Sequence, residues 1–431
     1  ATIQEAATDQ KFFNEPLVNI IPYACHACPT KRYSVTNICQ GCLAASCQSV
    51  CPKGAIFFAN GKSVIDETIC IRCGKCASAC SYHAIAFIER PCQAACGMDA
   101  IGLDENGKAR IDYDRCVSCG QCLVSCPFGA IVDKSQIFQV VRSIAEGNTV
   151  VAIVAPSFVG QFGKNVTVPK FVAAMKQLGF SDVVEVAAGA DVCAIEEARD
   201  FVEKVPAQQK FLATSCCPSW RMMARRLFPD ESGNISMTYT PMIYTARLVK
   251  HTHPGSKVVF IGPCAAKKLE AMQQELRSDV DFVLTYEELM GIFEAKAIDF
   301  SQLPDTDDLH DASGLGWGFA AAGGVAAAVE EVLRRTQPDM EVKIQRADGL
   351  RECRRLLTLA KAGKFDGYLL EGMACPGGCV AGAGTIIPAE AAKKQLDAHA
   401  KQATVFSCAE SPYRAFAGLL EEPAAREETK R

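Results

Sequence analysis

Residues 70–80 read CIRCGKCASAC, and residues 116–126 repeat the spacing as CVSCGQCLVSC. Both follow C-x2-C-x2-C-x3-C, with Cys70, Cys73, Cys76 and Cys80 in the first run and Cys116, Cys119, Cys122 and Cys126 in the second. Three closely spaced thiolates can wrap one iron–sulfur cubane, leaving the fourth to reach a different cluster. Zinc sites instead use CxxC pairs split by a longer spacer. The chain holds 24 cysteines, sixteen of them within residues 25–126. A secreted disulfide scaffold could use such density, but it would be small and exported. Here the chain has 431 residues, and its opening ATIQEAATDQKFF lacks the apolar core of a signal peptide. Metal ligation in a reducing, cytoplasmic setting is the expectation.

A looser run, CQGCLAASCQSVC, supplies Cys39, Cys42, Cys47 and Cys51. With the 70–80 run it resembles a two-cluster bacterial ferredoxin with crossed fourth ligands. One cubane would take Cys39, Cys42, Cys47 and Cys80, and the other Cys70, Cys73, Cys76 and Cys51. The second module is irregular, because RPCQAACGMDAI offers only Cys92 and Cys96. The missing CxxC lies upstream in ACHACP, as Cys25 and Cys28. A fold-back of the N-terminal segment would let Cys25, Cys28, Cys92 and Cys126 bind one cluster and Cys116, Cys119, Cys122 and Cys96 another. A separate small metal site, or an unrelated exposed pair, is the other reading of Cys25 and Cys28. His26 between them reads as a spacer, with a ligand role as the alternative. Strand-like stretches after each run (GAIFFANGKSVID, HAIAFIE, DAIGLDENGKARID, GAIVDKS) suit such modules, and the recurrence near 45 residues is an internal duplication. Four accessory [4Fe-4S] clusters in series would make this half an electron wire.

From residue 136 the pattern changes. Apolar stretches (TVVAIVAPS, VVEVAA, KFLATSC, KVVFIGPC, VDFVLT, DGYLLEGMAC) alternate with amphipathic ones (VPKFVAAMKQLG, VCAIEEARDFVEKV, PSWRMMARRLF, IYTARLVKHT, GVAAAVEEVLRRT). Such alternation implies parallel sheet in βαβ units. The expected fold is a two-lobed α/β catalytic domain of twisted, largely parallel sheets with flanking helices, preceded by α+β ferredoxin-like iron–sulfur modules. The expected divisions are 1–36, a folded-back segment; 37–90 and 91–135, two cluster modules; and 136–431, the site domain. A net charge of −4 gives no reason to expect nucleic acid as partner. GLGWGFAAAGGVAAAV is too short and too rich in Gly and Ala to span a membrane.

Four sequences sit at the carboxyl ends of the expected strands: APS (155–157), SCCPS (215–219), GPCAAKK (262–268) and MACPGGC (373–379). Ligand sites of open α/β sheets form there, which would gather Cys216, Cys217, Cys264, Cys375 and Cys379 near one crevice. Four of these could hold a further cubane. Adjacent side chains diverge, so Cys216 and Cys217 are expected to do different jobs. Cys193, Cys353 and Cys408 read as buried, unligated thiols, and Arg351, Arg354 and Arg355 as a solvated helix face.

TSCCPSW, PCAAKKLE and EGMACPGGCVAGAG are similar to the three signature sequences of [FeFe]-hydrogenases, in the family's order and behind a cluster wire. The resemblance covers nearly the whole chain, and Ser219 in place of the usual Gly is similar to the branch sometimes called group B. It implies reversible H2 oxidation at an H-cluster, a cubane joined to a two-iron subsite with CO, cyanide and azadithiolate. Cys217, Cys264, Cys375 and Cys379 would hold it, with Cys379 bridging to the two-iron subsite. Cys216 would pass protons, with Glu197, Ser236 and Asp200 following and Lys204 near an arginine position. Lys267, Ser157, Pro156 and Ala155 would contact cyanides, and Phe319 and Met373 would line the pocket. Gly262 and Met242 depart from the usual Met and Gln. The resemblance further implies a ferredoxin- or flavodoxin-like electron carrier, H2 and protons as reactants, and dedicated maturation enzymes. An H2-sensing protein and a non-enzymatic iron–sulfur assembly protein of the same ancestry are the rival readings.

Overall fold

The computed structural model describes residues 17–273, 276, 278–305, 309 and 311–419. The opening ATIQEAATDQKFF and the closing EEPAAREETKR, expected to be a frayed tail, lie outside the described residues. The chain divides into two compact units. Residues 20–112 and 122–132 form the first; residues 17–19 and 113–121 join 133–419 in the second.

The cysteine-rich unit is made of short pieces. Ile56–Ala59 pairs antiparallel with Lys62–Ile65 across Asn60 and Gly61, both at positive φ, the two-residue hairpin geometry that matches strand twist. Ile101–Leu103 pairs with Ala109–Ile111, and Arg32–Val35 with Ile85–Ile88. The last pairing places part of the 1–36 segment in the sheet of the expected 37–90 module. Helices of four or five residues follow the cysteine loops, and Ser46–Ser49, Lys75–Ser78 and Pro91–Ala95 each bury one thiol, at Cys47, Cys76 and Cys92. Left-handed backbone at Arg72 and Gly74 turns the 70–80 loop, and Ser118 and Gly120 repeat it in the other run. The apolar core here is Cys47, Ile56, Cys76 and Ile85, flanked by Tyr33, Val35, Cys51, Ile65, Ala77 and Cys80. Thiols stand where a larger domain would place Leu and Phe, as in modules whose bound metal supplies folding energy.

The second unit carries two all-parallel sheets. Its strands are β1 (Val150–Val154), β2 (Asp182–Glu185), β3 (Leu212–Ala213), β4 (Lys257–Ile261), β5 (Phe282–Leu284), β6 (Lys343–Asp348) and β7 (Tyr368–Met373). One sheet has the order β2-β1-β4-β5 and the other β3-β7-β6. Every residue of β1 is buried, as expected of a strand covered on both faces. The expected helices are present at Val168–Leu178, Pro218–Leu227, Pro241–Thr252 and Gly324–Thr336. Two expectations need correction. KFLATSC pairs only through Leu212 and Ala213, because the chain turns immediately into the cysteine loop. The polar strand β6 is an addition to the expected set, an exposed edge with no apolar alternation to announce it.

The central helix, Ala187–Lys204, begins earlier than its amphipathic part suggests. Its first turns are Ala and Gly because the Pro241–Thr252 helix lies close: a Cβ on Gly189 would meet the Pro241 carbonyl at 2.3 Å. Glu371 on β7 accepts from the N–H groups of Gly323 (2.6 Å) and Ala326 (2.7 Å), capping the Gly324–Thr336 helix from a neighbouring strand. Cys193, Cys353 and Cys408 are fully buried. Among the described residues no helix is long and apolar enough to cross a membrane.

Candidate metal centre

At the carboxyl ends of β3, β4 and β7 the chain leaves the sheets through SCCP, GPCAAKK and MACPGGC. These loops converge on one apolar cavity lined by Cys216, Cys217, Cys264, Cys375 and Cys379. Cys217 is the N-cap of the Pro218–Leu227 helix, and its Sγ accepts from Ala374 N–H at 3.4 Å. Positive φ at Gly377 and Gly378 turns the chain between Cys375 and Cys379. A Cβ on Gly378 would meet Ala322 N at 2.5 Å, so this loop is packed against backbone.

The donor set suits a cluster better than a single ion. Burial pushes all four candidate ligand thiols up, Cys264 to about 11 and Cys379 to about 12. Neighbouring thiols push Cys264, Cys375 and Cys379 further. Four half-buried sulfurs that line one apolar cavity and repel one another as thiolates call for a cationic core between them. Among the described residues no three His, Cys, Asp or Glu donors converge on a single-ion site. A tetrahedral zinc would draw its sulfurs to within about 4 Å of one another, whereas a cubane holds them at its separate corners.

Cys216 and Cys217 both line the cavity yet face different neighbours. After burial, the largest influences raising Cys216 are Glu197 and Cys193, whereas Cys217 is addressed by the N–H groups of Trp220 and Ala374. Glu197 is fully buried, and burial lifts its carboxyl to about 8. Its Oε1 accepts from Ser215 N–H at 3.0 Å. Its Oε2 has no hydrogen-bond partner. Ser236 donates to Thr238 Oγ1 at 2.9 Å and accepts from Thr238 N–H at 3.1 Å. Ser215 therefore meets Glu197 through its backbone N–H, while its hydroxyl donates to the Thr238 carbonyl at 2.7 Å, and nothing in its spacing sets it apart from the cysteines that follow it. Asp200 pairs with Lys204 at 2.7 Å.

Of the other expected contacts, Ala155, Pro156, Phe319, Met373 and Lys267 line the cavity, and so does Met242, the departure from the usual Gln. Lys267 Nζ donates to Glu270 (2.6 Å) and to the Cys216 carbonyl (3.3 Å). Ser157 hydrogen-bonds the Tyr286 hydroxyl at 2.8 Å. Lys268, the second lysine of the motif, is fully buried between Asp133 (2.8 Å) and Glu288 (2.9 Å), a structural role no spacing could announce. Cys119 lines the same cavity. The loop bearing it is held by Ser219 and by Arg226, which donates to the Cys116 carbonyl at 2.7 Å.

In the cysteine-rich unit, Cys51, Cys70, Cys73 and Cys76 line one hollow. Ser63 brings Cys39 and Cys47 together: its N–H lies 3.5 Å from Cys39 Sγ and its hydroxyl 3.3 Å from Cys47 Sγ. Cys80 and Cys96 accept from Ala84 and Ala100 N–H, and Cys42 is exposed. Burial pushes the Cys92 thiol up, Arg90 opposes that, and Cys126 and Cys28 add to it. Ala109 N–H donates to Cys25 Sγ at 3.4 Å, and His26 stacks on Phe128 at 4.6 Å.

A thiol-lined cavity at the ends of parallel strands, in a chain that also carries a dicluster cysteine module, defines an iron–sulfur protein of hydrogenase type. Residues 148–383 match the iron only hydrogenase large subunit, C-terminal domain, and residues 69–130 match the 4Fe-4S dicluster domain. The chain belongs to the iron-only hydrogenase family. It is 30% identical over 394 residues to iron hydrogenase 1 of Clostridium pasteurianum, covering 77% of this chain and 67% of that protein. It is 31% identical over 264 residues to the periplasmic [Fe] hydrogenase large subunit of Nitratidesulfovibrio vulgaris, covering 51% and 63%. Cytosolic iron-sulfur assembly component 3 of Bos taurus is also similar, 26% identical over 283 residues, covering 53% and 59%. In fold, a solved [FeFe]-hydrogenase studied for oxygen inactivation superposes with a TM-score of 0.54 at 19% identity, over 67% of this chain and 96% of that one.

Proposed function

We propose that the chain is a ferredoxin-linked [FeFe]-hydrogenase of the group B branch, catalysing reversible H2 oxidation and proton reduction in the cytoplasm. One observation carries this reading: a fifth thiol, Cys216, shares the cavity with four candidate ligands, and its neighbour Ser215 holds the buried carboxyl of Glu197 at 3.0 Å. A proton-bearing thiol near a buried carboxyl suits proton transfer in catalysis, which favours an enzyme over an assembly protein. The second reading, an assembly role, has the similarity to the bovine assembly component in its favour; an H2 sensor is the third.

Cys217, Cys264, Cys375 and Cys379 would hold the H-cluster, which supplies a Lewis-acidic iron and an adjacent base for H–H cleavage. The protein's residues do the rest. Burial, reinforced by Glu197, keeps Cys216 protonated, so it can give a proton at the cavity and be refilled. Glu197, near 8, takes or returns that proton at neutral pH. Ser215 fixes its Oε1 and leaves Oε2 free for transfer. Asp200, held by Lys204, and Ser236, held by Thr238, stand further along. Lys267, oriented by Glu270, puts a cation in the cavity wall, where anionic cyanide would lie. The apolar lining, with Phe319 and Met373, excludes water. Four accessory cubanes on the sixteen N-terminal cysteines would carry electrons to a ferredoxin- or flavodoxin-like partner, after maturation enzymes have built the two-iron subsite.

The test is viologen-coupled H2 evolution and uptake on anaerobic protein with its cubanes rebuilt, before and after loading a diiron complex. Turnover that appears only after loading supports the proposal. No turnover after confirmed loading favours the sensor, and no diiron uptake favours the assembly class.

A further inference from the structure

Arg90 lies two residues before Cys92 and is 2% exposed. Its Nη2 donates to the Gly107 carbonyl at 2.8 Å and to the Cys28 carbonyl. It therefore ties the upstream CxxC to the loop that carries Cys92. Its Nε and Nη1 are also buried, and neither has a hydrogen-bond partner. Among the described residues the acceptors of its hydrogen bonds are these two carbonyls, neither of them a carboxylate. A buried cation without a counter-charge is strongly unfavourable, and buried N–H groups without acceptors are rare. A purely structural clamp would need only Nη2. The charge and the two spare donors ask for an anion rich in acceptors.

Arg90 grips the Cys28 carbonyl and lies two residues before Cys92, so the thiols of these two residues are that anion's natural frame. A thiolate-bound cubane carries net negative charge, and its sulfurs accept N–H hydrogen bonds. Adding one electron deepens the negative charge by one unit, so a neighbouring cation and N–H···S bonds favour the reduced state. We propose that Arg90 sets the reduction potential of the cluster held by Cys25, Cys28, Cys92 and Cys126, raising it by presenting a buried, unpaired guanidinium to its sulfurs. The inference rests on that ligand set. It makes this cluster a site where an electron delivered along the wire is retained, rather than a neutral relay. Arg90 acts through the cluster and is a positioning and tuning residue, with no contact to substrate.

The experiment uses the full-length protein with its cubanes reconstituted, in the native form and as Arg90→Gln and Arg90→Lys. Iron and sulfide content are measured first, then cluster potentials by EPR-monitored redox titration. The expected result is unchanged iron with one cubane harder to reduce in Arg90→Gln by tenfold or more in its reduction equilibrium, about 59 mV per factor of ten. Arg90→Lys, which keeps the charge but loses the planar fork, should fall between. Unshifted potentials with full iron overturn the proposal. Loss of a cubane in both variants overturns it too, since the guanidinium then builds the site rather than tuning it. Cys28→Ala and Cys92→Ala test the ligand set separately: each should lose one cubane's iron, and full iron in both would refute the ligand set whatever Arg90 does.

Discussion

Ser219 Oγ donates to the Val117 carbonyl at 2.9 Å, tying the start of the Pro218–Leu227 helix to the loop between Cys116 and Cys119. Ser219 is 2% exposed, so this bond has no water to replace it. Removing it with Ser219→Ala leaves a buried carbonyl short of a donor, at a cost of about 1 kcal/mol. The denaturant midpoint should fall, and viologen-coupled turnover should slow more than iron content does. Unaltered turnover in the variant would mean that the bond does not position the Cys116–Cys119 loop for electron exchange.

The two adjacent cysteines should separate cleanly. Cys217→Ala removes a candidate ligand and should lower iron content in the second unit. Cys216→Ala should keep full iron yet lose on the order of a hundredfold or more in turnover, the range of a missing general acid–base group. Glu197→Gln should resemble Cys216→Ala. Iron analysis beside the viologen assay distinguishes the two classes.

Gly372 precedes Met373 on β7, and a Cβ there would meet the Trp220 ring at 2.3 Å. Trp220 is fully buried and donates to the Thr214 carbonyl at 2.9 Å, so it cannot retreat without breaking the strand-to-loop turn. Gly372→Ala should destabilise by about 1–3 kcal/mol. Gly291, inside the Tyr286–Ala295 helix with nothing within 4 Å of its would-be Cβ, gives the contrast. Gly291→Ala should be neutral or stabilising by up to ~1 kcal/mol. Chemical denaturation of both variants checks the pair.

Glu185 is 3% exposed, and burial lifts its carboxyl from 4.5 to about 8, with Asp311 and Asp191 adding to the rise. Between those values the folded protein keeps a proton that the unfolded chain has lost. Stability therefore falls as pH rises through this window, by up to ~1.4 kcal/mol per pH unit for one group. Glu185→Gln cannot ionise and should make the decline from pH 5 to 8 shallower. Glu197 acts in the same direction, so some slope should remain. Denaturation midpoints measured at successive pH values would show a parallel decline if Glu185 were already ionised when folded.

Spacing along the chain by itself determines the cysteine loops and much of the βαβ order. C-x2-C-x2-C-x3-C is a covalent ruler, and the loops it forms depend on a few residues such as Arg72 and Gly74 that turn locally. The βαβ alternation is equally local, which is why β1, β4 and β7, and the cysteine loops at their ends, are legible in the sequence. β6 is not: an exposed edge strand of Lys, Gln, Arg and Asp has no periodic burial to leave a signature.

Partner choice among buried polar groups is decided only by tertiary packing. That Glu197 takes Ser215 while Ser236 takes Thr238 depends on how β3 and the central helix meet. That Lys268 lies between Asp133 and Glu288, 135 and 20 residues away, depends on three segments closing over it. No motif singles out Arg90 in the sequence, and only its burial against Cys28 and Gly107 reveals two donors without acceptors. A hydrogen bond is won by whichever group the fold brings within about 3 Å. The chain alone therefore declares which thiols are available, and the fold declares which charges and protons they meet.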